Sequence, residues 1–187
     1  MRGLVTSMKI KTMKAVVAVL VLCVPLLASV SRPAQKPPSK TLAACGDLNV
    51  DLSVDLDQKA QDPVAPQADK ALVYFIQETG LAIDFFYPTT KIGMDGKWIG
   101  GNKKDSYFSF PVDPGEHHLC VAIQSSIMQE GIELSHFKAE AGKLYYFRTR
   151  IDWGKDSAQY LSVEPVDSDQ ADYMIESLPL AKLHPHK

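Results

Sequence analysis

Between residues 91 and 123, short apolar runs alternate with turn residues. The Asp-Gly pair at 95–96 is typical of a type I′ hairpin turn, which needs positive φ at both positions. The Gly-Gly-Asn run at 100–102 predicts a second reversal. The Asp-Pro-Gly run at 113–115 predicts a third, because Pro fixes φ and Gly adopts the left-handed region. The stretch is therefore predicted to form four short strands in a β-meander.

Patterns on either side of this stretch predict further strands. Residues 46–57 alternate between apolar and polar side chains, which predicts a strand with one buried and one wet face. Residues 70–76 form a continuous apolar run, which predicts a central strand covered on both faces. Further strands are predicted at 82–87, 133–140, 144–151 and 158–165.

One segment near the C-terminus has helical periodicity. Apolar residues recur at helical spacing between 167 and 178, Asp167 or Ser168 can cap the start, and Pro179 ends the helix. Residues 180–187 are predicted to be a frayed tail. The fold class is therefore predicted as mainly β, an antiparallel β-sandwich with a meander core, one short C-terminal helix and an N-terminal signal helix.

The first 31 residues have the features of a secretory signal peptide. Three lysines precede an apolar run at 15–30, and small residues precede a possible cleavage site before Arg32. A Pro- and Lys-rich spacer follows at 32–45, and a single domain is predicted at 46–178, with a tail at 179–187. One alternative is an uncleaved membrane anchor. Another is lipid on Cys45, because residues 42–45 spell a lipobox, although the spacer separates it from the apolar run.

The charge and the cysteine content indicate which compartment the protein occupies and which classes of partner are excluded. Without residues 1–31, which carry four basic residues and no acidic one, 16 basic and 22 acidic residues remain. A mildly acidic chain without a basic patch argues against nucleic acid as a partner. Cys45 and Cys120 remain after the signal is removed, and an even pair in an exported protein predicts a disulfide. Two buried free thiols are the alternative.

Few residues suggest chemistry. His117 and His118 are adjacent on a predicted strand and point to opposite faces, so they cannot chelate one ion together, and no metal or cofactor is predicted. No nucleophile, phosphate-loop or dinucleotide motif is visible, so no catalytic residue is predicted. Trp98 and Trp153 are candidate ligand-facing aromatics, with core packing as the alternative.

Several motifs together resemble a known family. They are the apolar run at 71–76, Asp-Gly at 95–96, Ile-Gly at 99–100, Tyr107, Pro-Gly-x-His at 114–117 and Gly-x-x-Tyr-Tyr at 142–146. Their order resembles the bacterial domain of unknown function 2846 family over roughly residues 70–165. That resemblance implies an exported or envelope-associated protein and assigns no activity. The turns are also loosely similar to PEGA and carboxypeptidase-regulatory modules, an analogy of fold alone.

The sequence therefore predicts an exported, non-catalytic module of the periplasm or the extracellular space that binds a protein or a glycan. One alternative is a small secreted hydrolase with a site built from loops. The other is a membrane-tethered protein, held by an uncleaved signal or by lipid on Cys45.

Overall fold

A computed structural model describes residues 44–60, 65–79, 87–125, 131–153 and 159–184. Ten strands and one helix lie in these ranges. In chain order they are β1 (Val54–Asp57), β2 (Ala71–Thr79), β3 (Thr89–Met94), β4 (Lys97–Lys103), β5 (Ser106–Val112), β6 (Gly115–Gln124), β7 (Ile132–Ala139), β8 (Leu144–Trp153), β9 (Gln159–Pro165), α1 (Ser168–Ile175) and β10 (Leu180–Leu183).

The strands form two sheets, as the predicted sandwich requires. The six-stranded sheet has the order β1-β10-β5-β2-β8-β9, and the four-stranded sheet has the order β4-β3-β6-β7. Strand pairs are antiparallel except for two, β2 with β8 and β10 with β5. The fold class predicted from the sequence, mainly β with one short helix, is confirmed.

Aromatic and aliphatic side chains fill the space between the sheets. On the six-stranded sheet, Phe75 stacks between Phe108 and Phe147, with ring centroids 5.2 and 6.0 Å away. Phe137 from β7 meets Phe147 edge-on at 5.1 Å and so joins the two sheets. Aliphatic side chains of the four-stranded sheet complete this core, among them Ile92, Leu119 and Val121. Burial of this apolar surface is the main force that holds the layers together.

The predicted central strand is confirmed. β2 lies between β5 and β8, and its first seven residues are buried. A strand covered on both faces has no wet positions, which explains why its sequence is continuously apolar rather than alternating.

Two of the three predicted turns are confirmed. Asp95 and Gly96 both have positive φ, 50° and 83°, and join β3 to β4. The Asp-Pro-Gly run at 113–115 joins β5 to β6. The reversal predicted at 100–102 is wrong, because these residues lie inside β4 and the chain turns at 104–105 instead. There Lys104 has a φ of 57°, so a non-glycine residue makes the turn.

The strands between residues 91 and 123 do not form one continuous meander. β3, β4 and β6 pair in the four-stranded sheet, whereas β5 crosses to the six-stranded sheet and pairs with β2. β5 therefore contributes Phe108 to the core beside Phe75. The hydrophobic pattern identifies the strands, but it does not say which sheet each one joins.

The strand predicted at 46–57 is mostly wrong, because only Val54–Asp57 forms β1. Upstream, Leu48 and Val50 are 44% and 40% exposed, so the alternating apolar residues do not face a core. The amide and side chain of Asn49 both donate to Asp47 Oδ1 at 3.0 Å, which stabilises a turn in place of a strand.

The C-terminal helix is confirmed, but the frayed tail is not. α1 starts at the predicted cap, where Gln170 N donates to Asp167 Oδ1 at 2.9 Å. Leu180–Leu183 forms β10 rather than a frayed end, and it pairs antiparallel with β1. A short strand between two neighbours satisfies its backbone groups, which the basic composition of the tail did not reveal.

The predicted signal peptide at 1–31 and most of the spacer at 32–45 lie outside the described residues, as does nearly all of the strand predicted at 82–87. Among the described helices, none is long and apolar enough to cross a membrane.

Candidate functional site

The outer face of the six-stranded sheet carries a row of three tyrosines on adjacent strands. Tyr107 lies on β5, Tyr74 on β2 and Tyr146 on β8. The centroid of the Tyr74 ring is 6.3 Å from that of Tyr107 and 5.2 Å from that of Tyr146, with interplanar angles of 29° and 21°. Because side chains stand roughly perpendicular to a sheet, neighbouring rings of the row stack against one another.

This row is the floor of a cavity of about 260 Å³, which we call the tyrosine cavity. One wall is formed by α1 and the turn after it, and the other by the chain that follows β1. The wall residues are Asp172, Ile175, Glu176 and Leu178 on one side and Gln58, Lys59 and Ala60 on the other. The volume lies below the ~300–1,000 Å³ of drug-sized ligand pockets, so the cavity suits a single small ring.

Backbone contacts fix the helical wall to the floor. Val166 N donates to Tyr146 O at 3.0 Å just before the helix begins, and Tyr107 N donates to Pro179 O at 3.1 Å just after it. Between these contacts, Ala171 and Met174 are buried. The helix is therefore anchored at both ends and cannot tilt away from the tyrosines without breaking these bonds.

The opposite wall is held by Asp57. Its carboxylate accepts hydrogen bonds from Lys59 N at 2.9 Å, from Ala60 N at 3.0 Å and from the ammonium of Lys182 at 2.9 Å. The bond from Lys182 is the largest cause that lowers the pKa of Asp57 to about 2, and the two backbone amides add to it. The carboxylate is thus charged at physiological pH and keeps the loop at 58–60 in place.

The charges of the cavity come from its walls. Burial, and secondarily the Asp172 carboxylate, raise the pKa of Tyr146, so this phenol stays protonated at neutral pH and can both donate and accept hydrogen bonds. In the described ranges, Asp172 and Glu176 form no ion pair, and neither does Lys59. The cavity therefore offers hydroxyl, carboxylate, amide and ammonium groups to a small polar ligand.

The sequence did not predict this cavity. Its three tyrosines are far apart along the chain, and each lies in a strand whose apolar sequence predicts burial in the core. A tyrosine within a buried apolar run is the sequence signal that points to such a cavity. The hydroxyl of a buried tyrosine needs either a hydrogen-bond partner or an opening to solvent. The carboxylates of the helical wall also lie on the polar face of a helix that was predicted only to pack.

The predicted disulfide is present in the structure. Cys45 Sγ and Cys120 Sγ are bonded at 2.03 Å across a sequence separation of 75, and both residues are fully buried. A sulfur engaged in this bond cannot also carry a lipid thioether. Lipid on Cys45 stays an alternative prediction, and it excludes this disulfide.

Residues 44–53, which we call the N-terminal strap, lie against the outer face of the four-stranded sheet. Besides the disulfide of Cys45, side chains of the sheet hold the strap by binding its backbone. Lys91 Nζ donates to Leu48 O at 3.0 Å and to Val50 O at 2.9 Å. The side-chain amide of Gln124 both donates to and accepts from the backbone of Leu52.

That Trp98 and Trp153 face a ligand stays a prediction. Trp98 is half-buried beside the strap, its indole nitrogen donates to Asp47 O at 2.7 Å, and Lys91 Nζ lies 4.6 Å from its ring centroid. These contacts are all within the chain. Trp153 ends β8, and its side chain lies outside the described part of the structure.

The two adjacent histidines differ in environment. Both ring nitrogens of His117 have acceptors, Asp95 Oδ2 at 2.7 Å and Asp113 O at 2.7 Å, whereas the side chain of His118 is mostly exposed. Burial disfavours the charged ring of His117, but these bonds outweigh burial and raise the pKa of His117. In the described ranges no three of the His, Cys, Asp and Glu side chains are grouped as metal ligands.

The fold and this geometry define the class of the protein, a two-layer β-sandwich with a small polar cavity under its C-terminal helix. Residues 67–162 match the family described as protein of unknown function DUF2846, so the chain belongs to that family. The match confirms the resemblance seen in the sequence, but the similarity to PEGA modules is not supported. No curated protein and no solved structure matches the chain.

The matched range contains the floor of the cavity but not its walls. All three tyrosines lie within 67–162, whereas Lys59 and Asp172 lie outside it. The charged side chains and the side-chain amide of the cavity are therefore on segments beyond the family match.

Proposed function

We propose that this protein is an exported, non-catalytic module of the bacterial cell envelope that binds a glycan in the tyrosine cavity. The observation that carries the proposal is the cavity itself, which joins a tyrosine floor to walls with carboxylate, amide and apolar groups. Sugar rings are small, carry hydroxyls all round and have apolar faces, so they suit such a mixed lining. The buried disulfide supports export, because disulfides persist in oxidising compartments.

The arrangement of the carboxylates favours binding over hydrolysis. Glycosidases place their two carboxyl groups on either side of the scissile bond. Asp172 and Glu176 instead lie four residues apart on one wall, so they are neighbours on the same side of a bound sugar. The hydrolase alternative therefore gains no support from this site.

Binding can be tested with the oxidised mature chain on an array of envelope glycans. We expect at least one glycan to bind, and we expect Tyr146→Ala to weaken that binding about tenfold or more, a loss of about 1.4 kcal/mol. Tyr160→Ala is the matched control, because Tyr160 lies on the neighbouring strand and is 54% exposed. Gln58→Ala, in the opposite wall, gives a second test that leaves the sheet intact.

Two results would contradict the proposal. One is the absence of any glycan ligand while a protein partner is captured at the same surface. The other is release of shortened sugars from a bound glycan, which would make the protein a hydrolase.

Export has its own test. We expect the mass of the mature protein from the envelope fraction to correspond to a chain that begins at Arg32 and carries no lipid. A mass that retains residues 1–31 would show a membrane anchor instead, and a diacylated Cys45 would show a lipoprotein.

A further inference from the structure

The charges that line the tyrosine cavity are unequal. Two carboxylates, Asp172 and Glu176, face a single ammonium, that of Lys59. Lys182 does not line the cavity, and its ammonium is bound to Asp57 at 2.9 Å. The lining therefore keeps a net negative charge.

The two carboxylates are placed where they repel each other. They lie four residues apart across α1 and the turn that follows it, a spacing at which like charges destabilise a helix. Neither forms an ion pair in the described ranges of the chain. A positively charged ligand group placed between them would remove the repulsion and would gain from both charges.

The floor is compatible with a cation as well. The Tyr146 hydroxyl stays protonated at neutral pH, and its oxygen can accept a hydrogen bond from an ammonium group. Acidic side chains and an aromatic side chain thus meet in one cavity of about 260 Å³.

We propose that the glycan bound in the tyrosine cavity carries a free amino group, and that its ammonium lies against Asp172 and Glu176. This inference rests on the proposed glycan-binding function and adds the ligand class. The sugar hydroxyls contact the hydroxyl of Tyr146 and the amide of Gln58, and the amino group distinguishes this glycan from neutral or N-acylated ones.

Three tetrasaccharides of the same linkage test the inference: chitosan tetraose, cellotetraose and chitin tetraose. They differ at one position of each ring, which carries an ammonium, a hydroxyl or an acetamide. Calorimetry at low salt and about pH 6, where the amine is charged, gives the three affinities. We expect chitosan tetraose to bind about tenfold or more tighter than cellotetraose, with a preference that salt weakens.

Substitutions in α1 and in the turn after it test whether the preference for the amine depends on Asp172 and Glu176. Asp172→Asn with Glu176→Gln removes both charges from an exposed surface, and the preference for the amine is expected to fall below about threefold. Asp169→Asn is the matched control, because Asp169 lies in the first turn of the same helix and does not line the cavity. The control is expected to keep the preference of the wild type.

The possible failures are distinguishable. Equal binding of all three sugars would overturn the amine inference and leave glycan binding standing. A preference that survives in the double variant would overturn the placement against Asp172 and Glu176. Binding of none of the sugars, together with a blank glycan array, would overturn both proposals.

Discussion

Gly100 shows at the level of one residue how the two layers meet. A Cβ atom built at this position would lie 2.3 Å from Cε2 and 2.4 Å from Cζ of the Phe108 ring. The glycine therefore makes room for an aromatic ring of the neighbouring sheet. In the sequence the same glycine looked like a turn residue, because composition does not show whether a glycine serves a turn or a contact.

We expect Gly100→Ala to destabilise the protein by about 1–3 kcal/mol, the usual cost of overpacking a well-packed site. Urea denaturation followed by circular dichroism measures the change. Gly131→Ala is the control, because its Cβ would first meet the flexible tip of Ile123 at 3.3 Å. The account of this contact fails if both variants unfold at the wild-type urea concentration.

A second prediction at the residue scale concerns His117 and pH. The pKa of His117 is raised in the folded protein, so its charged form stabilises the fold fully below about pH 6.5, its unfolded pKa, and this stabilisation disappears as the pH rises through the folded pKa. Burial opposes the charge of Asp95, but the backbone of His118 and the ring of His117 lower the pKa of Asp95 overall. Its contribution is present above pH 3.8, its ordinary value, and disappears as the pH falls through the lowered pKa.

The pair is therefore expected to stabilise the fold most between about pH 4 and 6.5. Denaturation at pH 6 and pH 8 should show a larger loss of stability in the wild type than in His117→Asn. His136→Asn, which changes an exposed histidine of β7, should follow the wild type. Identical pH dependence in wild type and His117→Asn would rule out this role.

At the scale of elements, the N-terminal strap is held by the disulfide of Cys45 and by side chains of the sheet that bind its backbone. Lys91 is 4% exposed, and its ammonium bonds to two carbonyls of the strap. Gly93 lets the strap approach closely, because a Cβ there would lie 3.0 Å from Ala44 O. Since the sheet binds mainly the backbone, the alternating side chains of the strap say little about its position.

Lys91→Met tests this attachment. The loss of two hydrogen bonds to a charged group is expected to destabilise the protein by about 1–3 kcal/mol. Hydrogen exchange should accelerate at residues 46–53 and remain slow in β2. Lys97→Met is the control, because Lys97 is an exposed residue of β4. Unchanged exchange in the strap would show that the lysine does not hold it.

The elements also show what the sequence could and could not predict. Strong local patterns identified β2, the Asp95-Gly96 turn and the capped helix, because turn chemistry and periodicity act over a few residues. The strap and β10 were misassigned because side-chain and strand partners from distant segments determine their conformation. The tyrosine cavity was missed for the same reason, since three strands, a helix and a loop must assemble before it exists.

At the scale of the whole molecule, the disulfide joins the strap to β6 across a sequence separation of 75 in the middle of the chain. In the chain-entropy model a loop of 75 residues corresponds to about 4 kcal/mol of stabilisation. We expect the double variant Cys45→Ala, Cys120→Ala to lose an amount of this order in urea denaturation. Addition of a reductant should destabilise the wild type and leave the double variant unchanged. Equal stability with and without reductant would show that the bond does not contribute.

The central claim is that the tyrosine cavity binds a glycan, and NMR chemical-shift mapping of the oxidised mature chain tests it most directly. Titration with fragments of an amino-sugar glycan is predicted to shift the resonances of Tyr74, Tyr146 and Asp172 together, with one dissociation constant. Shifts confined to the four-stranded sheet, or no shifts at any tyrosine of the cavity, would contradict the account.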